Sequence, residues 1–269
     1  EKRYHAVMTA FVRMYEAGLI YRGDRIVNWD PKLQTTVSDD EMEYVEETAP
    51  FYYFKYGPFE IGTVRPETKF GDKYVVMHPD DERYKNFSNG QKIDLEWING
   101  SITATIIKDD SIDMEFGTGA MTITPWHDNA DFEIAERHGL DKEQIIDERG
   151  ILLPIAGEFA GEHIKKARPK IVEKLQSKGL VEKIDENYKH VVKTCYKCGT
   201  IIEPQIKEQW FIKMKPLAEM ALASVDKGEI KFVPDNYEKI FRHWMENTID
   251  WNVSRQIVWG IPIPAWLCD

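Results

Sequence analysis

The 269-residue sequence predicts an α+β fold: a small closed β-barrel decorated with helices, held between a leading and a returning stem. Three observations carry that expectation. Short apolar runs of strand length recur across residues 50–188, each bounded by Gly, Asn or Pro, a spacing that suits a small barrel. Only two stretches of helical period interrupt them, at 128–138 and 169–178. The chain also opens on an amphipathic helix, in which Val7, Phe11 and Met14 recur at i, i+4 and i+7. The expected divisions are 1–49 for the leading stem (helix plus strand), 50–190 for the barrel, and 191–269 for the returning stem and the tail beyond it.

Taken in order, Gly18 is placed to end the first helix. Residues 25–29 give a short strand, and the acidic run 39–47 a polar connector. Barrel strands are expected at 51–56, 60–64, 74–78, 102–107 and 120–124. Asp128 stands where an N-cap would, with Gly139 closing that helix, and Pro169 is expected at the first turn of the next helix, with Gly179 just past its end. A further helix is expected near 217–224, before a Trp- and Pro-rich tail. No internal repeat or low-complexity tract is present.

Bulk properties exclude more than they assign. The length is enough for one large domain or two modest ones with a proper core. No apolar run approaches the ~20 residues of a membrane span, and no signal-peptide pattern opens the sequence, so a cytoplasmic protein is expected. Three cysteines, two of them in one Cys-x-x-Cys, argue against a disulfide scaffold and fit a reducing compartment. The net charge of −11 is awkward for a nucleic-acid binder, which needs local positive charge. Lys165, Lys166, Arg168, Lys170, Lys174 and Lys178 form such a cluster, explained as readily by a solvated helix face as by RNA contact.

Two segments concentrate chemistry. One is Thr63-Val64-Arg65-Pro66-Glu67-Thr68; the other runs Gly117-Thr118-Gly119-Ala120-Met121-Thr122-Ile123-Thr124-Pro125-Trp126-His127-Asp128-Asn129-Ala130-Asp131. Asp128 and Asp131 fall at i and i+3 at the mouth of a helix. Two carboxylates, two threonine hydroxyls and an arginine suit a small ligand that carries both an ammonium and a hydroxyl. Helix capping explains the same two acids, and a surface ion pair explains Arg65, so the residues alone leave both readings open.

Together these segments resemble the editing-site motifs of the class I synthetases for valine, isoleucine and leucine, which carry an inserted connective peptide that hydrolyses mischarged aminoacyl-tRNA. The likeness runs along nearly the whole chain and is closest to the valyl type. Tyr15-Glu16-Ala17-Gly18-Leu19-Ile20-Tyr21-Arg22-Gly23 and Val27-Asn28-Trp29-Asp30-Pro31 resemble the leading stem of that family. His78-Pro79-Asp80-Asp81-Glu82-Arg83-Tyr84 resembles the stretch after its first editing motif, and Ile202-Glu203-Pro204 with Gln209-Trp210-Phe211 its exit stem. Asp250-Trp251-Asn252-Val253-Ser254-Arg255-Gln256 and Trp259-Gly260-Ile261-Pro262-Ile263-Pro264 resemble the resumption of the catalytic core. Residues 86–114 match poorly. H-I-G-H and K-M-S-K-S are absent, so the chain is expected to be an excised central piece, not itself a ligase.

The resemblance implies an editing domain at 50–190 that hydrolyses threonyl-tRNA(Val), with the tRNA 3′ end and the threonine moiety as partners and a monomeric state. ATP and Mg²⁺ would serve the whole enzyme, and no cofactor this part. By the same resemblance Asp131 anchors the substrate ammonium, Asp128 takes the threonine hydroxyl, and Arg65, Thr68 and Thr124 line the seat of the terminal adenosine and ester. His127 is placed to act as a general base, to orient its loop or to contact the ribose, and these readings stay open. Thr122 stands where valyl-type relatives usually have lysine, which removes a cation near the ester and leaves a short donor. The catalytic set is thus Asp131, Thr124 and Thr122. No Ser-His-Asp or Cys-His set presents itself, so no covalent intermediate is expected. Two alternatives stay open: a decayed insert that only docks tRNA, or an editing domain of the isoleucyl or leucyl type.

Cys195 and Cys198, followed by Gly199, look like one knuckle of a zinc site, which needs four ligands. Zinc-bearing relatives place the second pair in the leading stem, where this chain has Asp30 and Leu33. A vestigial, metal-free knuckle is expected.

Overall fold

The structure, a computed structural model, describes residues 2–268. It divides into two compact units: one joins the chain up to Val27 with the chain from Lys207 onward, and the other is Asn28–Ile206.

The first unit opens with α1 (Lys2–Glu16), stopped by Gly18 in the left-handed region at φ 70. β1 (Ile20–Asp30) leads out of this unit into the larger one. In the larger unit β1 pairs antiparallel with β2 (Thr35–Val37). β3 (Met42–Tyr56) and β4 (Phe59–Thr63) form a hairpin through a two-residue turn with Gly57 at φ 60. β5 (Tyr74–Met77), β6 (Lys92–Trp97), β7 (Gly100–Lys108) and β8 (Ala120–Thr122) make a sheet of order β6-β7-β5-β8, in which only β5 and β7 are parallel. α2 (Asn129–His138) and α3 (Ile164–Ser177) come next, and β9 (Val181–Cys195) returns along β3 to complete the sheet β4-β3-β9. β10 (Glu203–Ile212) leads back to the first unit, which ends with α4 (Met214–Asp226), α5 (Asn236–Glu246) and β11 (Trp251–Asn252).

The fold is therefore α+β, and among the described residues the larger unit's long strands make two sheets around one core. Phe54, Tyr56, Phe59 and Ile61 from the hairpin share that core with Val75, Met77, Trp97 and Ile106 from the second sheet, and with Ala167, Ile171 and Leu175 of α3. β5 is buried on both faces, because Val76 points the opposite way into a second cluster with Ile107, Ile123 and Ile134 of α2. That explains its unbroken apolar run: a strand covered on both sides has no polar face to alternate with. β8 and α2, both packed on β5, carry most of the candidate site.

Some local expectations are corrected. The acidic run is no connector beyond its 3-10 turn at Asp39–Glu41; from Met42 it is the first half of β3. Glu47 lies opposite His190 of β9, and Glu46 reaches Lys189 diagonally at 3.1 Å, so opposite charge supports a strand that polarity alone hides. α3 starts at Ile164 rather than at Pro169, because the His163 side chain caps Lys165 N–H and Ile164 N–H binds the Gly150 carbonyl. Pro169 consequently lies inside the helix. Of the basic cluster, Arg168, Lys170, Lys174 and Lys178 are all ion-paired to glutamates, the arrangement of a charge-balanced helix face. β6, β9 and α5 fall where the sequence pattern predicts no element. No described helix is long and apolar enough to cross a membrane.

Candidate functional site

The two motif segments, some sixty positions apart, meet at one cavity of about 630 Å³ lined by Arg65, Thr68, Thr122, Thr124, His127, Asp128 and Asp131. All belong to the larger unit. The first segment leaves β4 and turns at once into a 3-10 helix, Pro66–Gly71, with Pro66 supplying the fixed φ of its first position. Gly71 lets this turn lie against the second segment: a Cβ there would fall 2.6 Å from Ile145 Cδ1 and 3.3 Å from Thr124 Cγ2. The second segment enters through Gly119, at φ +71, where a Cβ would fall 2.1 Å from the Arg83 guanidinium. It then runs as β8 and turns into α2.

Asp128 is the N-cap of α2, its Oδ1 accepting from the N–H groups of Ala130 (2.8 Å) and Asp131 (3.2 Å). Asp131, one turn on, is 5 % exposed and accepts from Thr124 N–H at 2.7 Å. Burial and the neighbouring Asp128 charge push its pKa up to about 7, against the pull of the Thr124 N–H and of Lys69. A buried carboxylate without a cation in contact is costly, and a ligand ammonium would relieve that cost.

Lys69 is a residue that the sequence reading missed. It is buried at the cavity wall and donates to Thr122 Oγ1 at 3.0 Å, with Asp72 Oδ1 at 3.5 Å. The cation expected to be lost at position 122 is thus supplied from the 3-10 turn. Asp72 is pushed up to about 6 by burial, against the pull of Lys69 and of the Thr122 hydroxyl beside it. Nothing in the sequence marked this pair, since Lys69 lies one residue past the motif.

Arg65 and His127 reach the cavity wall with their polar atoms engaged. The Arg65 guanidinium binds both Glu203 oxygens (2.5 and 2.7 Å), Glu67 (3.4 Å) and the His127 carbonyl (3.4 Å). Burial opposes the Arg65 cation, but Glu203 and Glu67 more than offset it and raise its pKa. Glu67 in turn receives two hydrogen bonds from Arg168 at 2.7 and 2.9 Å. His127 Nε2 accepts from Ile145 N–H (3.0 Å) and Ile146 N–H (3.1 Å), which leaves Nδ1 as the protonated nitrogen facing the Pro204 carbonyl at 3.2 Å. That ring clamps the 145–146 backbone, and neither nitrogen is left for a proton transfer. Thr68 Oγ1 donates to the Arg65 carbonyl at 3.0 Å. Glu203 had a legible signal, in the Ile202-Glu203-Pro204 match, but its pairing with Arg65 spans 138 positions.

Asp30, Cys195 and Cys198 also meet, their donor atoms lying within 4.8 Å of one another. The Cys198 thiol donates to Asp30 Oδ2 at 3.0 Å, while Oδ1 accepts from Lys32 and Leu33 N–H. Burial and Asp30 raise the pKa of the Cys195 thiol. The set has three donors among the described residues, packed against Val37, Met42 and Ile202, and does not fit a closed tetrahedral site. Elemental analysis of the purified chain is expected to give zinc well below one per chain. A stoichiometric, chelator-resistant metal would reverse this and make Asp30 a ligand.

A core shared by two sheets, with a cavity where two motif segments meet beside it, is matched by family likeness. Residues 1–269 match the class I tRNA synthetases (I, L, M and V), and the chain belongs to that family. Its relatives include a valine–tRNA ligase of Pseudothermotoga lettingae, 46 % identical over 98 % of this chain and 31 % of the relative. Those of Symbiobacterium thermophilum (45 %, covering all of this chain and 30 % of the relative) and Clostridium tetani (46 %, 98 % and 30 %) are similar. The chain spans about three tenths of the length of these curated relatives.

Proposed function

We propose that this chain is the editing portion of a valine-specific synthetase, hydrolysing the ester of threonyl-tRNA(Val), and that Asn28–Ile206 contains the editing barrel. One observation carries the reading: the two motif segments converge on one cavity lined by a buried carboxylate, Asp131, that has no cation in contact among the described residues.

The chemical need is general. Threonine and valine are nearly isosteric, and an apolar pocket rejects an added hydroxyl only ~10²-fold, a figure measured on valine-specific synthetases themselves. A second site that hydrogen-bonds the hydroxyl removes the error, because valine there leaves a polar group unpaired. In this reading Asp131 binds the α-ammonium and Asp128, at the mouth of α2, takes the side-chain hydroxyl. Phe51 and Tyr188, at 4.6 Å between ring centroids on the same cavity wall, suit stacking of a terminal base. Water attacks the ester carbonyl and gives up a proton to solvent, the Thr122 hydroxyl donates to the developing oxyanion, and collapse breaks the bond to the ribose oxygen, which takes a proton from solvent as it leaves. Free threonine and a deacylated tRNA end result. An aminoacyl ester is already activated, so positioning and oxyanion stabilisation suffice. ATP and Mg²⁺ belong to the aminoacylation reaction of the whole enzyme.

The decisive experiment is deacylation of purified threonyl-tRNA(Val) by this chain, with valyl-tRNA(Val) as the counter-substrate. Hydrolysis of the first in preference to the second is expected; a chain that binds tRNA but hydrolyses neither would be a docking insert. Asp128→Ala is expected to narrow the threonine-over-valine preference while costing about 1 kcal/mol of stability through the lost cap. An unchanged preference would leave Asp128 as a helix cap and nothing more.

A further inference from the structure

We infer that Lys69 is the positioning residue of the proposed hydrolytic site: its buried ammonium holds the Thr122 hydroxyl and is the cation that acts on the buried carboxylates Asp72 and Asp131 beside it. The inference rests on the editing reading and adds to it a residue and a pH signature.

Lysine is almost never buried without a partner. Lys69 is 6 % exposed, and the Trp97 indole N–H fixes its backbone by donating to its carbonyl at 2.7 Å. Its Nζ touches Thr122 Oγ1 and lies beside Asp72. The charged groups around it come from few elements. The 3-10 turn and the residue after it give Glu67 and Asp72, α2 and its cap give Asp131 and Asp128, and β8 gives no titratable side chain. Glu67 is occupied by Arg65 and Arg168, and Glu203 by Arg65. Asp128 is exposed, caps α2 through Oδ1 alone, and keeps its charge beside Asp131. Glu133, Arg137 and His190 also line the cavity, Arg137 being paired with Asp109. The buried charged groups beside Lys69 are Asp72 and Asp131.

The same lysine orients the catalytic hydroxyl. A hydroxyl oxygen has two lone pairs and one proton. With the Lys69 ammonium donating to one lone pair of Thr122 Oγ1, the hydroxyl proton turns away from Nζ, where the Asp72 carboxylate and an ester oxygen in the cavity compete for it. Without Lys69 both carboxylates lose their only nearby cation, hold their protons to higher pH, and bind an ammonium only above it.

The test is the pH profile of threonyl-tRNA(Val) hydrolysis, from about pH 5 to 9, by the wild-type chain, Lys69→Met and Lys69→Met/Thr122→Lys. Lys69→Met is expected to lower kcat/KM at neutral pH at least ~10-fold and to move the acid limb up by about one pH unit. Returning a cation from β8 in the double variant is expected to bring the limb back. If Lys69→Met does not fold, Lys69→Gln, which keeps a donor without the charge, serves for the same limb. An active wild type whose limb is unmoved in the variant overturns this inference alone. So does a uniform loss that the double variant fails to restore, because that marks a structural role. A wild type with no hydrolysis overturns the editing reading and this inference with it.

Discussion

Asp131→Asn is expected to remove hydrolysis of threonyl-tRNA(Val) and, at the same time, to make the folded chain more stable above neutral pH. The first effect comes from charge. Losing a charge-assisted contact with the substrate ammonium is worth about 1.5–3 kcal/mol, a rate loss of roughly 10- to 10²-fold before any misalignment. The second comes from burial. The folded-state pKa of Asp131 is raised from 3.8 to about 7, so the folded state holds this proton more tightly than the unfolded chain does. Stability from that group is fully present below 3.8 and is lost as pH rises through about 7. The whole loss corresponds to at most about 4 kcal/mol. Asparagine keeps an acceptor for the Thr124 N–H and cannot ionise, so the variant should match the wild type near pH 4 and exceed it at pH 8. Chemical denaturation at the two pH values, beside single-turnover deacylation, measures both. A variant that hydrolyses at the wild-type rate, or that gains nothing at pH 8, would show that Asp131 is not a carboxylate held ready for a cation.

Glu67→Ala is expected to cost about 3–5 kcal/mol of stability, the loss typical of breaking a buried ion pair from one side. Glu67 is fully buried and holds Arg65 and Arg168 together, while Arg65 also grips Glu203. Its removal leaves the 3-10 turn and α3 without their charged link. Lys170→Ala, which breaks the more exposed pair with Glu162, should cost less than about 1 kcal/mol and serves as the control. Urea unfolding of both variants decides it. Equal, small losses would mean that Glu67 is solvated in the native ensemble.

Much of this protein was legible in its sequence because the signals are local. The i, i+4, i+7 repeat of Val7, Phe11 and Met14 gave α1, Asp128 and Gly139 bracketed α2, and the β5 and β8 runs lay where expected. The two motif segments announced themselves by composition, and their order with the stem segments carried the family. The features that were not legible depend on partners far along the chain. The acidic start of β3 is a strand because β9, about 150 positions later, lays basic side chains opposite it. His127 became a backbone clamp only when residues 145 and 146 came to its ring. Arg65, isolated in the sequence, is enclosed by acids from its own turn and from β10.

By itself, then, the sequence determined the α+β class, the family likeness and the identity of the residues that meet in the cavity. Only the tertiary structure decided which of those residues keep a group free for a ligand, and that Lys69 brings a cation to Thr122. The reason is physical. A side chain's type fixes what it can donate, accept or carry, and that is written locally. Whether the group is already satisfied, and how strongly burial resists its charge, depends on every atom packed around it.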